Sequence, residues 1–314
     1  FLPLVFLLQH WHGDGWHAGP TPYAWVQPMQ GAHSVYSTYS LILATFLGAM
    51  GLPHVVVRFY TNRDGRATRQ TTVTVLALLG LFYLLPTLYG VLGRRYLPGL
   101  ITSGHTDSVV LELPGHVLGG AGGDLLTALL GAGAFAAFLS TTSGLVISVG
   151  GVIAQDLAGP KLRPVTAFRT SAAVATAVTY VLAVAATGLA VAHAVELAFA
   201  VAASTLCPLL VLGIWWRGLT TIGAITGMAV GGITSGAAVL IVMLGGTPTG
   251  WWGAIVNQPA LVTAPLAFVT MILVSRATAD RRPPHVARTM VRLHTPEEIE
   301  LDRGSYHPEH RSSL

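Results

Sequence analysis

Residues Ala134–Leu145 read AFAAFLSTTSGL and lie in the middle of a long apolar segment. Four hydroxyl side chains stand together here: Ser140, Thr141, Thr142 and Ser143. A segment that crosses hydrocarbon is ordinarily apolar at its centre. Polar groups there cost free energy unless they find partners, so the cluster is a candidate functional site. Ala137, Ser140 and Thr141 are spaced i, i+3, i+4 and share one face of a helix. Hydroxyl oxygens backed by main-chain carbonyls suit a hard cation, and no carboxylate is required. A second reading fits the same residues. Ser and Thr in membrane helices bond the carbonyl one turn back, and small residues serve close helix packing. Spacing leaves both open.

The apolar character runs outward from this stretch over the whole chain. Of 314 residues 52% are hydrophobic and only 10% charged, with mean hydropathy +0.63. A soluble domain carries about 25% charged residues. Such depletion indicates a multi-spanning membrane protein with the lipid bilayer as its surroundings. A net charge of +4 does not point to nucleic acid. The single Cys207 excludes an internal disulfide framework.

Seven hydrophobic segments are each long enough, or nearly so, to cross roughly 30 Å of hydrocarbon. They are helix A (Ser34–Val57), B (Thr72–Leu92), C (Gly123–Ile153), D (Val165–Val191), E (Val195–Trp216), F (Thr220–Leu244) and G (Pro259–Ser275). The opening FLPLVFLL, without an initiator Met, is too short to span and lacks the features of a signal peptide. It reads as the tail of a transmembrane helix, and the chain as a fragment of a larger protein. Residues 10–33 are rich in His, Trp, Gly and Pro and read as an interfacial loop with an aromatic belt. The histidines in it could bind a metal, but no Cys or carboxylate-rich partner set accompanies them beyond Asp14.

Charge sets an orientation. Arg58, Arg63, Arg66 and Arg69 lie between A and B; Lys161, Arg163 and Arg169 between C and D; Arg217 between E and F. Arg276, Arg281, Arg282, Arg288, Arg292, Arg303 and Arg311 end or follow G. These positions fall on one side, and of the 17 basic residues only Arg94 and Arg95 fall on the other. The positive-inside rule makes the basic side and the C-terminus cytoplasmic, in a multi-pass protein of the cell membrane. The B–C connection, residues 93–122, is read as a solvated loop or a short interfacial helix around Val109–Leu113. Thr295-Pro296-Glu297-Glu298 resembles a capping box and predicts a short helix starting there.

Helix A carries GAMGLPH over Gly48–His54, two glycines and a proline that weaken a helix. Broken membrane helices aim backbone groups at a cavity in transporters; a proline kink at the interface is the alternative. The apolar segments hold no HExxH, GxSxG or CxxC motif and no paired carboxylates, so the chain is not read as an enzyme. Glu196 opens helix E beside His193, either as a solvated interfacial carboxylate or facing a solute. Trp215-Trp216-Arg217 reads as an interfacial anchor.

Three stretches then resemble one family in its own order. Gly51–Thr61, GLPHVVVRFYT, looks like the GLPHxxxRF motif of sodium:solute symporters, in particular the acetate/monocarboxylate- and proline-like branches. Ala134–Gly144 is similar to the family's AFxAxxST helix. Leu212–Arg217, LGIWWR, followed by Gly223-Ala224 and Gly227, is similar to its LGxxW(K/R)…GAxxG signature.

The resemblance implies an all-α membrane protein with a LeuT-type core of two inverted five-helix repeats. Residues 34–216 would be the second repeat, 217–278 two additional transmembrane helices and 279–314 a cytoplasmic tail. Residues 1–33 would close a truncated helix and its external loop, the first repeat lying before Phe1. It implies sodium as the coupling ion, held by the Ala137 carbonyl and the Ser140 and Thr141 hydroxyls, with no cofactor. Thr45, Gly48 and Ala49 would line the solute site, and Glu196 lies near a polar substrate contact of sugar-carrying members. The expected function is sodium-coupled symport of a small organic solute by alternating access, a short-chain carboxylate ahead of an amino acid or sugar. A transporter-like sensor module and a non-functional remnant are the alternatives.

Overall fold

The computed structural model describes residues 33–52, 65–97, 99–100, 106–156, 163–281, 286–295, 299–300 and 305–306. Their helices are α1 (Ser34–Gly51), α2 (Gly65–Tyr96), α3 (Val109–Leu118), α4 (Gly120–Asp156), α5 (Pro164–Ala185) and α6 (Val191–Ser204). There follow α7 (Leu206–Trp215), α8 (Thr221–Met243), α9 (Gly250–Asn257), α10 (Ala260–Ala277) and α11 (Val286–His294). A two-residue antiparallel pair, Ile299–Glu300 with Ser305–Tyr306, lies in the tail. The chain is an all-α membrane protein: among the described residues six helical stretches, α6 and α7 taken together as one, are long and apolar enough to cross a bilayer. It divides into two compact units, Phe1–Gln30 with Val56–Ala194, and Gly31–Val55 with Val195–Leu314.

In the first unit α3 is seated by a glycine. A Cβ on Gly93 of α2 would lie 2.6 Å from Val109 Cγ1, so only glycine lets the start of α3 approach. Leu113 then buries completely in a cluster with Leu92 and Leu97. Gly119 and Gly120, both at positive φ (60° and 59°), turn the chain from α3 into α4, a conformation glycine adopts at low cost. At the other end α4 packs on α5, where Gly150 meets Ala172. Helix α5 opens with Pro164 in its first turn, where a missing N–H costs nothing.

In the second unit α8 and α10 form the main contact. Gly223, Gly227 and Gly231 recur every four residues on one face of α8, with buried Ser235 continuing the row. Cβ atoms there would meet Ser275 Oγ, Met271 and the Ser204 carbonyl oxygen respectively. Small residues at this spacing let membrane helices approach through their backbones. Buried hydroxyls add to the packing. Ser204 of α6 and Thr263 of α10 share a hydrogen bond of 2.7 Å, and Thr220, which caps α8 by accepting from Gly223 N at 3.1 Å, shares one of 2.8 Å with Thr278 just past α10.

Several elements differ from the sequence expectations. Helix A ends at Gly51, with Leu52 extended, rather than at Val57; Pro53–Val57 lie outside the described residues. Ser34, Ser37, Thr38, Ser40 and Thr45 dilute its apolar character, and α1 is not among the six spans where seven were expected. Helix E is two helices, α6 and α7, parted at Thr205; Pro208 lacks the N–H that would have bonded the Ser204 carbonyl. The B–C connection holds α3 rather than only a solvated loop, because Leu113 and Val109 have packing partners. The F–G connection contains the short helix α9 (Gly250–Asn257), outside the seven segments read from the sequence. In the tail the helix precedes Thr295 instead of starting there, and Pro296–Glu298 lie outside the described residues.

Candidate functional site

The hydroxyl cluster lies at the middle of the 37-residue α4, between its contact with α3 near Gly123 and its contact with α5 near Gly150. Ala137, Ser140 and Thr141 are exposed on one face, as their spacing requires. Their hydrogen bonding can be compared with that of the hydroxyls around them. Ser143 Oγ donates to the Ser140 carbonyl at 3.0 Å and Ser148 Oγ to the Gly144 carbonyl at 2.9 Å. Thr38, Thr45, Thr72, Thr176, Thr226 and Thr270 likewise bond the carbonyl one turn back. Among the described residues, the Ser140, Thr141 and Thr142 hydroxyls make no such bond. They stand out from the helix with lone pairs available.

The other candidates belong to the second unit. Thr45 is exposed on α1, its hydroxyl donating to the Leu41 carbonyl at 2.8 Å; Ala49, one turn on, is half-buried. Gly48 has a different duty. A Cβ there would lie 2.5 Å from the Phe199 carbonyl oxygen of α6, so Gly48 is consumed in helix packing and turns no side toward a cavity. Gly51 does the same against Ala202 and Cys207. The glycines read as helix breakers are therefore close-approach residues, and α1 runs unbroken through Gly48.

Glu196 sits one turn before Phe199 on α6, half-buried, its Oε2 accepting a hydrogen bond from Gln258 Nε2 at 2.7 Å. Gln258 was not singled out in the sequence. It lies in the bend between α9 and α10, and its carbonyl accepts from Tyr36 Oη at 3.0 Å and Ser40 Oγ at 2.6 Å. Beside it is an open aromatic-lined cavity of about 590 Å³ bounded by His33, Tyr36, Tyr39, Trp251 and Leu261. The anchor residue Trp215 is exposed and meets His294 of α11 edge-on at 5.3 Å. Residues 10–32, with the histidines considered for metal, lie outside the described residues.

These features define a multi-pass helical membrane protein with polar positions on its helices. The sequence comparisons are specific about which. The model of the sodium:solute symporter family matches residues 20–231, and the chain belongs to that family. It is 29% identical to the "Uncharacterized symporter YwcA" of Bacillus subtilis over 84% of this chain and 55% of that protein. It is 31% identical to a "Monocarboxylic acid transporter" of Corynebacterium glutamicum over 73% of this chain and 44% of the relative. The chain thus spans about half the length of the curated relatives it matches. No solved structure matches it. The family and these relatives are transporters, not enzymes, and the family name makes sodium the coupling ion.

Proposed function

We propose that the chain carries one wall of the sodium site of a symporter that moves a short-chain carboxylate, with its basic loops and C-terminus on the cytoplasmic side of the cell membrane. The observation that carries this reading is the pair Ser140 and Thr141, adjacent to the Ala137 carbonyl. Their hydroxyls, like that of Thr142, are not spent on the helix backbone, whereas those of Ser143 and Ser148 are. A hydroxyl and a carbonyl oxygen keep lone pairs for a hard cation, and the family supplies sodium as that cation. Three oxygens are fewer than a hard cation takes, so further oxygens complete the shell. The carboxylate solute is supported by the similarity to a monocarboxylic acid transporter. Thr45 and Ala49 would line its path on α1, with Gly48 setting the distance of α1 from α6. Residues 34–216 would form the second repeat of the core and α8 to α10 its supporting helices. Sodium would stabilise the solute-competent arrangement, and alternating access would then deliver both to the other side.

The test is sodium-driven uptake by the intact protein in proteoliposomes. Losing one hydroxyl ligand to a cation is expected to cost about 1.5–3 kcal/mol. Ser140→Ala and Thr141→Ala should therefore each raise half-saturating sodium at least about tenfold. Ser143→Ala, whose hydroxyl is already bonded to the backbone, should leave it near the wild-type value. Unaltered sodium dependence in both of the first two variants rejects the site.

A further inference from the structure

Of the carboxylates in the six described spans, Asp124 and Asp156 lie near the ends of α4, and Glu196 is the third. An ionisable group at such a position needs a partner or a task. Its partner is Gln258, a residue that is nine-tenths buried. Gln258 stands at the non-helical bend between α9 and α10, with φ −134° and ψ 75°. Its N–H is spent on the Ala254 carbonyl at 3.0 Å. Its own carbonyl, released from helix duty, receives both Tyr36 and Ser40 of α1. Ser40 Oγ in turn accepts from Leu261 N at 3.1 Å. That bond satisfies one of the unpaired amides in the first turn of α10, as a capping residue would, but from another helix. The side-chain amide of Gln258 completes the set by donating to Glu196 of α6. One residue therefore ties α1, α6 and α10 together.

We propose that Gln258 is a positioning residue and that Glu196 is its anchor on α6 rather than a contact for the solute. This rests on the symport reading above and assigns Glu196 a different task within it. The chemistry favours the anchor. An ionised glutamate in a carboxylate's path repels the solute by like charge, whereas an amide donor stabilises the glutamate in place. Through Tyr36 and Ser40 the same residue fixes the early turns of α1, two turns before Thr45, and so sets where the solute-lining face of α1 lies.

The experiment is an exchange of the two side chains in the intact protein. Gln258→Glu alone sets two carboxylates against each other and removes the donor. It should raise half-saturating solute at least about tenfold, the loss of a charge-assisted hydrogen bond, and speed amide hydrogen exchange in segments 34–40 and 258–262. The double variant E196Q/Q258E restores an amide facing a carboxylate and should bring both readouts back to within about threefold of wild type. Solutes are radiolabelled acetate, pyruvate, proline and glucose, each with and without a sodium gradient. If exchange recovers in the double variant but uptake does not, Glu196 touches the solute and the proposal fails. If Gln258→Glu changes neither readout, the tie does not position α1 and the proposal fails as well. A wild-type protein that takes up none of the solutes would refute the symport reading instead, while the exchange measurement still decides on the tie.

Discussion

The tightest backbone approach in the second unit is at Gly231, and its enlargement by one methyl is a severe test of the fold. A Cβ at Gly231 would sit 1.8 Å from the Ser204 carbonyl oxygen, 2.8 Å from its carbon and 3.0 Å from Ala267 Cβ. Ordinary contact begins near 3.4 Å, so α8 must retreat by about 1.5 Å from main-chain atoms that cannot rotate away. Retreat also loosens the seam that Gly223 and Gly227 make with Ser275 and Met271. Overpacking a well-packed site costs about 1–3 kcal/mol, and a clash with the Ser204 backbone on one side and the Ala267 methyl on the other belongs at the upper end. At about 2–4 °C per kcal/mol for a unit of this size, Gly231→Ala should lower the thermal midpoint by about 6–12 °C. The control lies five residues on. A Cβ on Gly236 meets nothing within 4 Å, so Gly236→Ala should leave the midpoint unchanged or raise it slightly, since alanine is the better helix former. Thermal unfolding in detergent, followed by size-exclusion fluorescence, measures both. A Gly231→Ala midpoint within 1–2 °C of wild type (about 0.5 kcal/mol) would refute the packing argument. An equal loss in Gly236→Ala would show that the effect is helix propensity rather than approach.

Two further variants probe other joints. Thr220→Ala removes the cap that accepts from Gly223 N and the hydroxyl pair with Thr278, and should cost about 1–2 kcal/mol by the same thermal assay, with Thr220→Ser recovering most of it. Gly48→Ala drives a methyl into the Phe199 carbonyl and should displace α1 from α6; half-saturating solute is expected to rise more than half-saturating sodium, and an equal rise in both would count against a separate solute face on α1.

The membrane class was legible because it rests on sums over many residues, which no single contact can reverse. Helix C was found with its hydroxyl face because a period of 3.6 is fixed by the backbone. What escaped was set by residues far apart in sequence. Gly48 looks the same in a string whether it weakens a helix or admits a neighbour, and only Phe199, 151 positions later, decides. The break at Thr205 was signalled by Pro208, but the apolar run on both sides hid it. Gln258 carried a faint signal, the second of two amides, Asn257 and Gln258, before Pro259 at the start of an apolar helix. Its importance lies in a carbonyl, which every residue possesses. For Ser140 and Thr141, spacing could place the oxygens but not say whether the backbone had already claimed them.

The use of glycine differs between the two units in a way that bears on the hydroxyl pair. In α8 three glycines every four residues are occupied by neighbours, which repays their poor helix propensity of about 1 kcal/mol each. In α4, Gly131, Gly133 and Gly144 bracket Ala137, Ser140 and Thr141, and among the described residues a Cβ on any of them would meet nothing within 4 Å. The most apolar window of that helix is 6% buried, against 28% in α8. Lipid alone would be met as well by leucine, so these glycines give no stability to a lipid-facing helix. They do make sense where another backbone or a ligand must come within touching distance of the helix. The ion proposed above would be such a case, because its remaining oxygens would have to converge on the same point as the Ser140 and Thr141 hydroxyls. Small residues, unclaimed hydroxyls and low burial thus coincide on one stretch of α4; close approach of another backbone accounts for the first and the last, and the proposed sodium site would account for the hydroxyls as well.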